Sequence, residues 1–258
     1  MNLRKQEKSK GVVMFAFNTG ATDYVRIAEL SAKLVTKHTG LPVTIITTKT
    51  VEDQFENYRV DVQGNTVEWK NLGRYVAYEL SPYDETILLD SDYLVFTDNL
   101  NKIFATDFDY KLWHFNRTPN ESRNLTMGAT SLPYVWATVV AFRKTERTRL
   151  FFNLIQRVQN NYNYYKLLYN IRDGNYRNDY AFTIANNIIN GYNLAQDTSI
   201  TGSMLTVDTP IERFEVAENK IVIKANPKAW VLPRTDLHVM DKVFLNSPQF
   251  EQLVNEQS

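Results

Sequence analysis

Three stretches of the chain, GVVMFAF (11–17), LPVTIITT (41–48) and TILLD (86–90), are apolar with almost no polar alternation. A strand with one wet face alternates apolar and polar residues, so runs like these fit strands covered on both faces. Between the first two, Tyr24 to Lys37 spaces Val25, Ala28, Leu30, Leu34 and Val35 at helical intervals, and Gly40 is placed to end the helix. Strand, helix and strand in that order open a parallel sheet with right-handed crossovers. The expected fold is α/β: a Rossmann-like, mixed, mostly parallel sheet flanked by helices.

The rest of the pattern extends this reading. Helices are expected over 68–80, 145–169 and up to Gly191, and strands over 108–115 and 136–142. Residues 50–66 carry no clear period, and 116–133 reads as a long loop. Short strands follow residue 200 in SMLTV, IERFEV, KIVIKA and AWVLP. Residues 1–10 read as a disordered tail and 11–258 as one domain, since no repeat, low-complexity tract or linker interrupts them.

Composition removes several functions. The chain has no cysteine, which excludes disulfides, thiolate metal sites and cysteine nucleophiles. Twenty-nine basic residues balance 29 acidic ones, so net charge draws it to neither nucleic acid nor anionic membrane. No run approaches the roughly 20 apolar residues of a membrane span, and Val12 to Phe17 is too short for a signal-peptide core. The expected location is the cytoplasm.

Chemistry concentrates where the third apolar run ends, at Asp90-Ser91-Asp92. In an extended segment residues i and i+2 project to one side, so both carboxylates are expected to converge at the C-terminal end of a buried strand. Ligands of open α/β sheets bind at that edge. Paired carboxylates repel unless a cation lies between them, and hard oxygen ligands suit Mg²⁺ or Mn²⁺ held together with substrate phosphates.

The segment SPYDETILLDSDYLVFTDNLNKIF resembles the metal-binding segment of GT-A glycosyltransferases, particularly the glycogenin and galactinol-synthase group. The resemblance extends more weakly over most of the chain. It implies a nucleotide-diphosphate sugar donor, UDP-linked in that group, with Asp90 and Asp92 bridged by metal to both phosphates and Ser91 between them. NTGATDYVRIAELSAKLV is similar to the family's base-binding loop and helix, which makes Asn18, Thr19 and Tyr24 nucleotide contacts. Arg74 falls where the family places a basic residue on the donor's phosphates or sugar. In DLHVMDKVFL, His238 matches the histidine that completes the metal shell, and Lys242 the lysine on the diphosphate. Asp179, in YRNDYAFTIANNI, matches the helix start facing the donor sugar near the reaction centre.

Two departures matter. The family's glycine after the histidine and its Lys-Pro-Trp ending are absent, and YVWAT stands where the family has Asn-Ser-Gly. The resemblance favours retention of anomeric configuration over inversion. His38 and His114 have no such context and read as structural.

The acceptor is open: a glycan, a protein or a small molecule. The loop 116–135 and the stretch 160–178, with Tyr162, Tyr164, Tyr165, Tyr169, Tyr176, Arg172 and Arg177, are expected to line its site. The cysteine-free, Asn- and Tyr-rich composition also resembles that of phage proteins, some of which glycosylate modified bases in DNA. That makes modified DNA an alternative acceptor and Arg117 and Arg123 further contacts, in a host cytoplasm. A nucleotidyltransferase would need a Gly-rich, Arg-containing loop after the first strand, which NTGATDYVR is not. An inactive domain that only binds a nucleotide sugar or a carbohydrate is the other alternative.

Overall fold

The computed structural model describes residues 9–52, 55–59, 73–123, 125–128, 130, 132–172, 175–193 and 198–257. Strand β1 (Lys10–Phe15) leads through helix α1 (Tyr24–Thr39) to β2 (Val43–Thr47) and β3 (Glu56–Arg59). A 3₁₀ turn at Arg74–Val76 runs into the short α2 (Ala77–Leu80), then β4 (Glu85–Leu89), β5 (Tyr93–Leu94), α3 (Asn99–Ile103) and β6 (Tyr110–Trp113). Next come β7 (Asn116–Arg117), β8 (Ser122–Arg123), β9 (Trp136–Arg143), α4 (Glu146–Asn160), α5 (Tyr162–Leu168) and α6 (Asn178–Ile189). The last part holds β10 (Met204–Val207), β11 (Arg213–Val216), β12 (Lys220–Ala225), β13 (Lys228–Pro233) and β14 (Leu237–Val239), then α7 (Lys242–Leu245) and α8 (Pro248–Gln257).

The three apolar runs sit together in a six-stranded sheet of order β3-β2-β1-β4-β9-β6. β3, β2, β1 and β4 are parallel, and β9 is antiparallel to both β4 and β6. This is the expected mixed, mostly parallel α/β sheet. A five-stranded sheet, β5-β14-β10-β7-β8, and a three-stranded antiparallel sheet, β11-β12-β13, complete the β structure.

Helix α1 joins the layers. Val25, Ala28, Ala32 and Val35 pack on one face of the central sheet with Val12, Met14, Ile45 and Ile87. Ile27, Leu30 and Leu34, on another stripe of the same helix, pack with Leu205, Val207, Leu237, Val239 and Phe250. Asp23 caps the start by accepting from the Arg26 N–H, and Gly40, at φ 71°, ends the helix as a left-handed cap. The opposite face of the central sheet is covered by α4 and α6, through Phe151, Phe152, Ile155, Phe182 and Ile184.

Several elements differ from expectation for local reasons. The helix expected over 145–169 breaks at Asn161, whose side chain donates to the Arg157 carbonyl at 2.9 Å and competes with the helical backbone. The loop 116–133 contains β7 and β8, two-residue strands too short for any period, which pair with each other and join the five-stranded sheet through β10. Only 73–80 of the helix expected over 68–80 lies within the described residues, and it is a 3₁₀ turn followed by one α turn. Of the tail expected over 1–10, residues 1–8 lie outside the described residues. Ser9 hydrogen-bonds Asp84, and Lys10 already belongs to β1.

At one point β1 tolerates no side chain. A Cβ on Gly11 would stand 2.3 to 2.5 Å from the ring of Tyr83. That ring is held by a 2.9 Å hydrogen bond between its hydroxyl and Thr44 Oγ1, and it is buried. Gly11→Ala should therefore destabilise the protein by about 1–3 kcal/mol through overpacking. Urea unfolding checks this as a lower midpoint at unchanged slope.

Candidate active site

The Asp-Ser-Asp segment leaves the end of β4 as a turn rather than a continued strand. Three separate elements hold its backbone. The Asp90 N–H donates to Thr138 O of β9 at 2.9 Å, and Ser31 Oγ of α1 donates to Ser91 O at 2.6 Å. The Val239 N–H of β14 donates to Asp92 O at 2.9 Å. The carboxylates converge because of this turn, so strand alternation gave the right outcome for a different reason.

His238 reaches the same point from β14, which pairs with β5 so that His238 stands opposite Tyr93. Ligand atoms of Asp90, Asp92 and His238 all lie within 4.8 Å of one another, an arrangement that could hold a metal ion. Asp92 Oδ1 is buried, lies 3.3 Å from His238 Nε2, and has no aligned hydrogen-bond donor. A buried carboxylate oxygen without a donor is costly unless a cation completes it. Two carboxylates and an imidazole suit a divalent ion of the Mn²⁺ type, and Mg²⁺ accepts the same carboxylates.

Two fixed cations face this group. Arg74 is 8% exposed; its Nη1 pairs with Asp90 Oδ1, while Nε and Nη2 are buried without a partner among the described residues. Lys242 Nζ pairs with Asp92 Oδ2. Burial pushes the Asp90 carboxyl upward against the pull of Arg74, and the Asp92 charge adds to that rise. Burial works the same way on Asp92, but His238 and Lys242 outweigh it and hold its carboxyl well below the ordinary carboxylate range. For His238, burial disfavours the imidazolium, yet Asp92 and Asp90 raise it above its ordinary value. Asp90, Asp92, Arg74 and Lys242 together sum to zero formal charge.

These groups line a cavity of about 360 Å³. Of the residues singled out in the sequence, Tyr24, Arg74, Asp90, Ser91, Asp92, Asp179 and His238 border it. Lys242 reaches its edge through Asp92. Asn18 and Thr19 do not line it. The Asn18 amide bonds Asp23 and the Val25 N–H, and Thr19 Oγ1 accepts from the Ala21 and Thr22 N–H groups, so both side chains build the loop ahead of α1. Asp179 is not the cap of α6, a position held by Arg177. Its Oδ1 accepts from the Ala137 N–H at 2.9 Å and ties α6 to β9.

Phe15, Phe17, Trp136, Thr138 and Met240 also line the cavity, and none was anticipated. Phe15 and Phe17 stand at the C-terminal end of β1, where the strand-edge rule that located Asp90 would have found them. The expected acceptor tyrosines are mostly core: Tyr162, Tyr165 and Tyr169 are buried, and Tyr164 is exposed. Arg123 pairs with Asp208 and Arg177 with Asp179, which leaves the proposed basic patch partly neutralised. His38 and His114 lie away from the cavity lining.

No protein family matches the sequence, and no curated protein does. Among solved structures the chain is similar to the glycosyltransferase GlyE of Streptococcus pneumoniae TIGR4, at 18% identity and TM-score 0.43 over 76% of this chain and 45% of that one. It is also similar to an active-site mutant of LgtC, at 14% identity and TM-score 0.45 over 75% and 72% of the two chains. A third similarity, at 11% identity and TM-score 0.40, is to a Bacillus anthracis protein described as a glucose-1-phosphate thymidylyltransferase, covering 76% of this chain and 87% of that one. The chain thus spans about half the length of the GlyE structure it matches.

If His238 is a metal ligand, its removal should separate metal binding from stability. Burial opposes the imidazolium and Nδ1 has no partner among the described residues, which offsets the ring's pairing with Asp92 in the metal-free protein. His238→Ala is expected to weaken Mn²⁺ binding at least tenfold, by electron paramagnetic resonance titration, and to shift the metal-free melting temperature by less than about 3 °C. A large loss of melting temperature with unchanged Mn²⁺ affinity would make it a core histidine instead.

Proposed function

We propose that the protein is a metal-dependent glycosyltransferase of the GT-A type that moves a sugar from a nucleotide-diphosphate donor, UDP-linked by resemblance, to an acceptor hydroxyl. One observation carries the reading: Asp90, Asp92 and His238 converge in a cavity beside Arg74, a buried arginine with two nitrogens unpartnered among the described residues. A divalent ion bound there acts as a Lewis acid on the diphosphate. Arg74 and Lys242 supply fixed positive charge where the leaving phosphate gains its negative charge. Tyr24, Trp136 and Asp179 line the same cavity; by resemblance Tyr24 would meet the nucleotide and Asp179 the donor sugar.

In the reaction the bond from the anomeric carbon to the β-phosphate oxygen breaks, its electron pair stays on the phosphate, and the acceptor oxygen forms the new bond while losing its proton. Among the described residues lining the cavity, the carboxylates are Asp90, Asp92 and Asp179. The first two belong to the metal set. Asp179 is tied to the Ala137 N–H through Oδ1 and to Arg177 through Oδ2 at 3.4 Å. A committed carboxylate is a poor general base, which supports retention with the leaving phosphate as proton acceptor.

The first test is a donor screen that scores nucleoside diphosphate release from UDP-glucose, UDP-galactose, UDP-N-acetylglucosamine and GDP-mannose. Release is expected with Mn²⁺ or Mg²⁺, to vanish in excess chelator, and to fall at least 100-fold in Asp92→Asn. Full turnover in chelator would sink the metal assignment, and no release from any donor would sink the transferase reading.

A second test uses the charge balance. A divalent ion added to a group of zero formal charge meets Arg74 and Lys242 at short range, and a diphosphate offsets that repulsion. Mn²⁺ should therefore bind at least tenfold more tightly with UDP present. In Lys242→Met the competition for Asp92 Oδ2 is gone, so Mn²⁺ alone should bind more tightly and UDP more weakly. Titration calorimetry with each ligand in turn measures both signs.

A further inference from the structure

A second cavity, of about 390 Å³, lies among β5, α3, β6 and the loops 199–203 and 235–236. No residue lines both cavities. They are neighbours through the chain, since Tyr93 directly follows Asp92 and Asp236 precedes His238 by two residues.

Three nearly buried side chains on its wall keep spare polar capacity. Asp236, 6% exposed, receives the Phe96 and Thr97 N–H groups and the Thr97 hydroxyl, all on Oδ1, and Oδ2 takes none of them. Tyr93 is 3% exposed, and its hydroxyl has no hydrogen-bond partner among the described residues. Trp113, 8% exposed, contributes an indole whose Nε1 is buried without an acceptor. The 199–203 loop approaches the indole closely at Gly202, where φ is 94° and a Cβ would stand 3.9 Å from Trp113 Cη2. The Tyr93 hydroxyl and Asp236 Oδ2 border the cavity, where a ligand that both donates and accepts hydrogen bonds can take the place of water on them.

The chemistry of the wall narrows the ligand. A cation would find one carboxylate and two amines, Lys102 and Lys111. An anion would face the buried carboxylate of Asp236. A plain aromatic hydrophobe would leave the Tyr93 hydroxyl and Asp236 Oδ2 unpaired. A sugar ring offers an apolar face for the indole and hydroxyls for Tyr93, Asp236 and the serines and threonines of the rim.

We propose that this second cavity binds a neutral saccharide, with Trp113 as its apolar wall and Tyr93 and Asp236 as its hydroxyl partners. The site is separate from the metal group, so binding there requires neither donor nor metal. A failure of the transferase reading would leave the binding measurement interpretable.

The test presents the protein, without donor or metal, to an array of neutral oligosaccharides built on glucose, galactose and N-acetylglucosamine, alongside sialylated and uronic-acid glycans. The tightest neutral ligand is then titrated into wild type, Tyr93→Phe and Trp113→Phe. Tyr93→Phe keeps the packed ring and removes only the hydroxyl, so thermal melts should match wild type. Binding of a neutral glycan that weakens at least fivefold in Tyr93→Phe is the expected result. No neutral glycan bound at millimolar concentration, binding of the anionic glycans alone, or equal affinity in wild type and both variants would overturn the proposal.

Discussion

Two carboxylates held together in a nearly closed turn must have cations, and the surroundings of the turn are arranged to provide them. Arg74 comes from the 3₁₀ turn before α2, and Lys242 from the start of α7, with His238 beside it on β14. Neither cation replaces a metal ion, because each satisfies one carboxylate oxygen and leaves Asp92 Oδ1 without an aligned donor. The arrangement pairs each carboxylate with one fixed cation and leaves three ligand atoms within 4.8 Å of one another. A buried pair is stabilising only when its remaining lone pairs and protons are also satisfied. Here they are not, which is the mark of a group shaped for a ligand more than for stability.

The parts of this architecture that rest on local pattern were legible in the sequence. Both-face apolar runs gave β1, β2 and β4 and their shared sheet, and helical spacing with Gly40 gave α1 nearly to the residue. Asp90 and Asp92 stand out because a strand end carries its own signal, and His238 and Arg74 because of a resemblance, since no local rule marks a residue that arrives from a distant element. Less was legible where contacts are long-range. The pairing of β7 with β10 leaves no period in two residues. The tyrosines of 160–178 look like a recognition surface in one dimension, yet Tyr165 and Tyr169 pack into the core with α4 and α6. Asn18 and Thr19 are polar because a loop needs its N–H groups satisfied, a demand that mimics a binding motif.

Trp136 shows how a departure from a family pattern is to be interpreted. Its position is the first of β9, opposite Trp113 of β6. The two indoles are partners on adjacent strands, yet Trp136 borders the cavity of Asp90 and Asp92 and Trp113 the other. A large flat side chain lines this cavity together with Thr138 and Asp179. What the resemblance could express only as a missing motif is, in three dimensions, a different wall.

Helix α1 has consequences beyond its own packing. Between Tyr24 and Val35 no residue is fully exposed, since one stripe faces the central sheet and another the C-terminal layer. Ser31 grips the Ser91 carbonyl, and Arg26 grips the Asn246 carbonyl and Glu251. A helix clasped from both sides has no free volume into which to slide, so it acts as a fixed post between the turn and the C-terminus. Shape changes that admit or release a ligand are then left to the rim, where Met240 and Val243 stand in solvent. The post also links distant parts of the chain: Arg26 ties α1 to Asn246 and Glu251, more than two hundred residues further on, while Ser31 of the same helix holds the carboxylate turn. Evolution of new specificity on this frame is therefore cheapest at the rim loops and most constrained along α1, which meets the cavity only through Tyr24 at its first residue.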